Sequence, residues 1–203
     1  MGTDKISTGT PTRLRSFDPL QLADLEYRAW VGYYLRKWPQ VLRASIGLVR
    51  LGFGMDWFRT LHGAWLVLRA NQLWAPVPDN DPAAARRIMA SFYRLLRTSE
   101  NAGFDPVRAA ELEVEWWRAH RENQYDGRPD LGEALIVALR DLYAYCYAVE
   151  PDAVRQAAAL RAEAMDVSDR WVKAGCDPAD PQLALERSLL VRSYAALLAA
   201  VHR

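Results

Sequence analysis

The stretch from Glu150 to Gly175, EPDAVRQAAALRAEAMDVSDRWVKAG, decides the fold class. It opens on an acid followed by proline, pairing a residue suited to capping a helix with one whose φ is already set for the first turn. Its apolar positions Ala157, Leu160, Ala164, Val167 and Trp171 then recur at alternating spacings of three and four, which places them on one helical face. Gly175 is a natural C-terminal stop.

The same acid-proline mark stands at Asp18-Pro19, Asp81-Pro82, Asp105-Pro106, Asp177-Pro178 and Asp180-Pro181. With Trp38-Pro39 and the glycine break at Gly52 and Gly54, these marks divide the chain into about eight helices. The expected spans run from Pro19 to Lys37, Pro39 to Leu51, Asp56 to Trp74, Pro82 to Ser99, Pro106 to Gln124 and Leu131 to Ala148, followed by the quoted helix and a last one from Pro181. No stretch alternates as a half-buried strand does. The fold class expected is therefore all-α, a single-domain orthogonal or mixed helical bundle over residues 17–203, preceded by a disordered tail over residues 1–16.

Composition agrees with one folded domain: 203 residues, 51% hydrophobic and 25% charged, with eight tryptophans. The formal net charge is +1, and only Lys5, Lys37 and Lys173 among the 26 basic residues are lysines. Acidic residues are interspersed with the arginines, which argues against a general electrostatic claim on nucleic acid. Cys146 and Cys176 have neither metal-site spacing nor the density of a disulfide scaffold, so the expected compartment is the cytoplasm. The N-terminal residues lack the apolar core of a signal peptide.

The region from residue 39 to 76 is the most hydrophobic of the chain. Arg43, Arg50, Asp56, Arg59 and Arg69 interrupt it before any run reaches the ~20 apolar residues of a membrane span. A buried helical hairpin is the first reading. Trp57, Phe58, Trp65 and Trp74 beside arginines would also suit a headgroup boundary, which makes interfacial membrane contact a further reading.

Titratable groups and large aromatics crowd together in one place, Glu111 to Glu122, ELEVEWWRAHRE. Glu113, Trp117 and His120 fall at i, i+4 and i+7 on one helical face, with acid and imidazole about 10 Å apart along the axis. Histidine is the side chain best placed to act as a base near neutral pH, and a partly buried glutamate can serve as acid or orienting partner. The bland alternative is that these carboxylates pair with arginines such as Arg118 and that His120 belongs to a hydrogen-bond network. The Glu113 to His120 spacing resembles the first metal-ligand helix of haem-oxygenase-like di-iron oxidases, over that helix alone. That family also needs a later histidine-rich helix, and the only histidine downstream is His202, so no metal and no cofactor are expected.

A faint echo links Leu25-Glu26-x-x-x-Trp30-x-x-Tyr33 to Leu112-Glu113-x-x-x-Trp117-x-x-His120. Three functional readings follow from these residues. The first is a non-enzymatic protein that binds a small apolar ligand or a partner helix in a tryptophan- and arginine-lined groove between the first, third and fifth helices, using Glu26, Trp30, Tyr33, His62, Trp65, Arg69 and Trp117. The second is a cofactor-independent acid-base enzyme with Glu113 and His120 as its catalytic pair. The third is a peripheral membrane protein that uses the helices around residues 39–76. No sequence pattern specifies an oligomeric state.

Overall fold

The computed structural model describes residues 13–100, 102–126 and 129–202. Among these residues the chain forms eight α-helices and no strand: α1 Pro19–Tyr34, α2 Trp38–Phe53, α3 Trp57–Trp74, α4 Pro82–Glu100, α5 Pro106–Asp126, α6 Pro129–Tyr147, α7 Pro151–Lys173 and α8 Gln182–Val201. The all-α bundle expected from the sequence is the fold observed.

The acid-proline marks at Asp18, Asp81 and Asp105 act as helix caps, whereas Asp177 and Asp180 shape the turn before α8, whose N-cap is Pro181. Asp18 accepts from the backbone N–H groups of Leu20 and Gln21, Asp81 from that of Ala84 and Asp105 from that of Val107. Asp56 caps α3 in the same way through Arg59 N–H. Glu150, one methylene longer, makes no side-chain cap bond, and the proline at N1 starts α7 without it. Gly54 ends α2 in the left-handed region at φ 60°, a conformation that costs a residue with Cβ about 1 kcal/mol or more.

Each helix packs on its neighbours in the chain, and α1 packs on both α2 and α8, so the eight elements close into a circuit. The tightest pair is α7 with α8, where Ala157, Ala158 and Ala164 let the backbones approach and Ser193 Oγ donates to Ala157 O at 2.8 Å. A large apolar cluster fills the middle of the bundle and includes Met89, Phe92, Leu96, Trp116, Trp117, Leu135, Leu139 and Val154. Smaller clusters join α1 to α7 and α8 around Ala23, Leu160 and Val167, and around Val31, Trp171 and Leu183.

Residues 1–12 of the expected tail lie outside the described residues. The part of it that is described packs on the bundle. Arg13–Arg15 make a 3-10 turn, Leu14 is buried, and its N–H donates to the Glu100 carboxylate at 3.1 Å. Arg15 donates to the carbonyl oxygens of Val201 and Tyr147, fastening the turn to α8 and α6. Spaced apolar residues are the signal used to find helices, and a single leucine held by backbone-directed hydrogen bonds carries none.

Candidate functional site

Most of the buried polar residues come from α1, α5, α7 and α8, with Thr60 on α3 and Glu100 on α4 apart from them. Glu26 on α1 is buried and accepts at both oxygens, from Arg161 at 2.7 Å and from the Tyr194 hydroxyl. Arg161 also donates to the Tyr143 hydroxyl at 2.9 Å and lies 5.4 Å from the Trp116 ring. Burial works against the Arg161 charge, but Glu26 with Tyr143 and Tyr194 outweighs it, and its pKa rises well above the ordinary arginine value.

About two turns further along α7, Asp169 accepts from Gln124 at 2.7 Å and meets His120 Nε2 at 3.2 Å. Because a carboxylate accepts, Nε2 carries the proton in this pair. The imidazole stands perpendicular to Trp30, with ring centroids 6.0 Å apart.

Glu26, Trp30, His120, Ser168, Asp169 and Glu186 surround a cavity of about 10 Å³, which is room for one water-sized species. Glu186 is 2% exposed, and burial, reinforced by the negative charges of Glu26 and Asp169, pushes its carboxyl up to about 8. Of the described side chains, the buried polar atoms without a hydrogen-bond partner are Arg161 Nε, Ser168 Oγ and Glu186 Oε2. Two of these three belong to residues lining the cavity.

The sequence-derived candidates therefore separate. Glu26, Trp30 and His120 come together at the cavity. Glu113 does not line it: Tyr93 donates to its Oε2 at 2.7 Å and the Trp117 indole to its Oε1 at 3.2 Å, and burial raises its pKa. Trp117 is buried against Trp74 and Trp116. Tyr33 is half exposed on the outside of α1, against Tyr34 and Trp38. Glu111, Glu115 and Glu122 pair with Arg108 and Arg118 of their own helix.

His62, Trp65 and Arg69 all lie exposed on the outer surface of α3. They belong to a face that the inward-facing residues do not share. Gly63, Leu66 and Ala70 are buried against the bundle, while Phe58, Leu61, Trp65 and Leu68, at i, i+3, i+7 and i+10, point into solvent on the opposite side. Phe58 is 89% exposed. Trp38 and Leu42 of α2 are also exposed, and Arg50 of α2 lies 3.8 Å over the Trp57 ring, which joins the two outer faces.

Charge is segregated here although the whole chain is nearly neutral. From residue 36 to residue 78 there are six basic residues, Arg36, Lys37, Arg43, Arg50, Arg59 and Arg69, and one acid, Asp56. The remainder of the chain holds the compensating acidic excess.

Sequence reasoning missed Arg161, Ser168, Asp169, Glu186 and Tyr194, because α7 and α8 read as ordinary bundle helices. A signal was present: Glu186 stands four residues before Leu190 and eleven before Leu197, on the apolar stripe itself. Among the described residues no helix is long and apolar enough to cross a membrane, and no group of three or more His, Cys, Asp or Glu side chains is arranged to hold a metal ion. Comparison with protein-family models, curated proteins and solved structures finds no match to this chain.

Proposed function

We propose that the protein docks on an anionic lipid surface through the outer face of α2 and α3. The observation that carries this reading is that α3 is apolar on both sides, since a helix of that kind needs cover on each. The bundle covers one side. On the other, Trp57, Phe58, Leu61, Trp65 and Leu68 leave on the order of 500 Å² of side chain in water, the upper range for an unpartnered surface.

Charge selects the occupant. The basic residues Arg43, Arg59 and Arg69 are exposed along the same helices, and each cation near an anionic leaflet contributes about 1 kcal/mol. Tryptophan next to arginine suits the headgroup layer, where an apolar ring and a hydrated cation are both satisfied. A small apolar ligand has less support, because the interior cavity holds about one water and the larger hollow of about 370 Å³, lined by Ser16, Arg50, Leu51, Gly54 and Met55, is open to solvent. A cytoplasmic setting, where the facing leaflet is anionic, accompanies this reading.

Co-sedimentation with vesicles of phosphatidylcholine alone and of phosphatidylcholine mixed with phosphatidylserine tests it. Binding to the mixed vesicles that weakens as salt is raised is the expected result. Protein left in the supernatant at low salt overturns the proposal. So does sedimentation velocity showing a dimer that Phe58→Ser dissolves, since a second copy would then cover the face.

A further inference from the structure

The cavity between α1, α5, α7 and α8 is built differently from a packing defect. Small voids in protein interiors are ordinarily apolar, and buried polar atoms are ordinarily bonded. Here two acceptor-capable atoms, Glu186 Oε2 and Ser168 Oγ, sit unpartnered in nine-tenths-buried residues that line the same water-sized space.

The charges facing that space leave Glu186 uncompensated. On α1, Glu26 is taken by Arg161 and Tyr194. Asp169 of α7 is taken by Gln124 and His120, both from α5. Next to Glu186 on α8, Arg187 turns to Asp24 at 2.6 Å. Tyr27 of α1, whose phenol is held back from ionising by burial and then by Glu186, adds no positive charge. Once Glu186 is ionised, as it is above its raised value of about 8, no described side chain around it supplies a compensating cation.

We propose that this cavity binds an ammonium group, N–H donors on a cation of about the size of water, held by Glu186 Oε2 and Ser168 Oγ beside Asp169. The size of the space excludes a larger quaternary ammonium. Both unpartnered atoms can accept, so a cation that donates hydrogen bonds satisfies them and the charge of the ionised carboxylate together. Trp30, Met165 and Leu190 line the rest of the cavity, so the carbon of a primary amine would have to lie outside the water-sized space. Two sources share this chemistry, free ammonium and the headgroup of a small primary amine.

Thermal unfolding at pH 8.5 in ammonium chloride, methylammonium chloride, potassium chloride and tetramethylammonium chloride at equal ionic strength tests the assignment. Ammonium at ten times its dissociation constant is expected to raise the midpoint by about 3 °C over potassium. An equal rise with methylammonium identifies a primary amine as the source, and a rise with ammonium alone identifies the free ion. Glu186→Gln and Ser168→Ala should each reduce the ammonium shift, the first abolishing it. Equal stabilisation by potassium, no cation effect at all, as for a cavity that holds only an ordered water, or an undiminished shift in both variants overturns the proposal.

Discussion

Arg161 Nη2 lies 2.7 Å from Glu26 Oε1, joining α7 to α1 inside the bundle, with Tyr143 and Tyr194 completing the group. Removing one partner of such a pair strands a charge that water cannot reach. Arg161→Met is expected to destabilise the fold by about 3–5 kcal/mol. Converting Glu26 to leucine in the same chain should recover most of that loss, because two apolar residues desolvate nothing charged. Urea unfolding of the two single variants and the double variant measures it, and strictly additive losses would show that the pair is not coupled.

The helices were legible because their signals are local. Aspartate before proline, glycine after a periodic run and three-four spacing each act within one or two turns, and the observed ends fall within about three residues of those read from them. The polar cavity was not legible, because it is made by residues from four helices whose contact depends on the circuit of packing. Glu26 and Glu113 show both sides of this. Their echoed sequences each place a carboxylate that accepts a tyrosine hydroxyl, buried Glu26 from Tyr194 and part-buried Glu113 from Tyr93. Yet only Glu26 reaches the cavity, since the helical face of Glu113 turns toward α4. The pairing of Glu113 with His120 by spacing alone could not register that His120 is engaged by α7.

Glu186 makes stability depend on pH in a defined direction. Its carboxyl is raised from an ordinary 4.5 to about 8 in the fold, so between those values the native state holds a proton that the unfolded chain has released. Stability therefore falls as pH rises through this window, by up to ~1.4 kcal/mol per unit, and levels off above the folded value. Glu113 and Asp166, also raised by burial, act with the same sign. In ammonium-free sodium buffer, Glu186→Gln should flatten the decline in urea midpoint between pH 5 and pH 8. A wild-type midpoint that rises across that range would show Glu186 to be ionised and compensated in the native state.

Gly63 sets how closely α3 seats on the bundle. A Cβ there would stand 3.2 Å from Val49 Cγ1 and 3.3 Å from Phe92 Cε2, so α2 and α4 both approach this position. Gly63→Leu is expected to destabilise by about 1–3 kcal/mol through overpacking, more than the gain in helix propensity returns. Thermal unfolding measures it, and an unchanged midpoint would mean that α3 can shift outward without loss.

Phe58 separates folding from docking. Its ring is 89% exposed, so Phe58→Ser should change unfolding free energy by less than about 0.5 kcal/mol. If the outer face enters a lipid boundary, the same change removes on the order of 1.5 kcal/mol of apolar transfer and lowers partition onto anionic vesicles about tenfold. Arg69→Glu should lower it through charge instead, and its effect should fade as salt rises, while that of Phe58→Ser persists. Partition measured at two salt concentrations distinguishes the two contributions. Unaltered partition in the serine variant would place the contact elsewhere on the molecule, because the most exposed ring of α3 would then remain in water when the protein is bound.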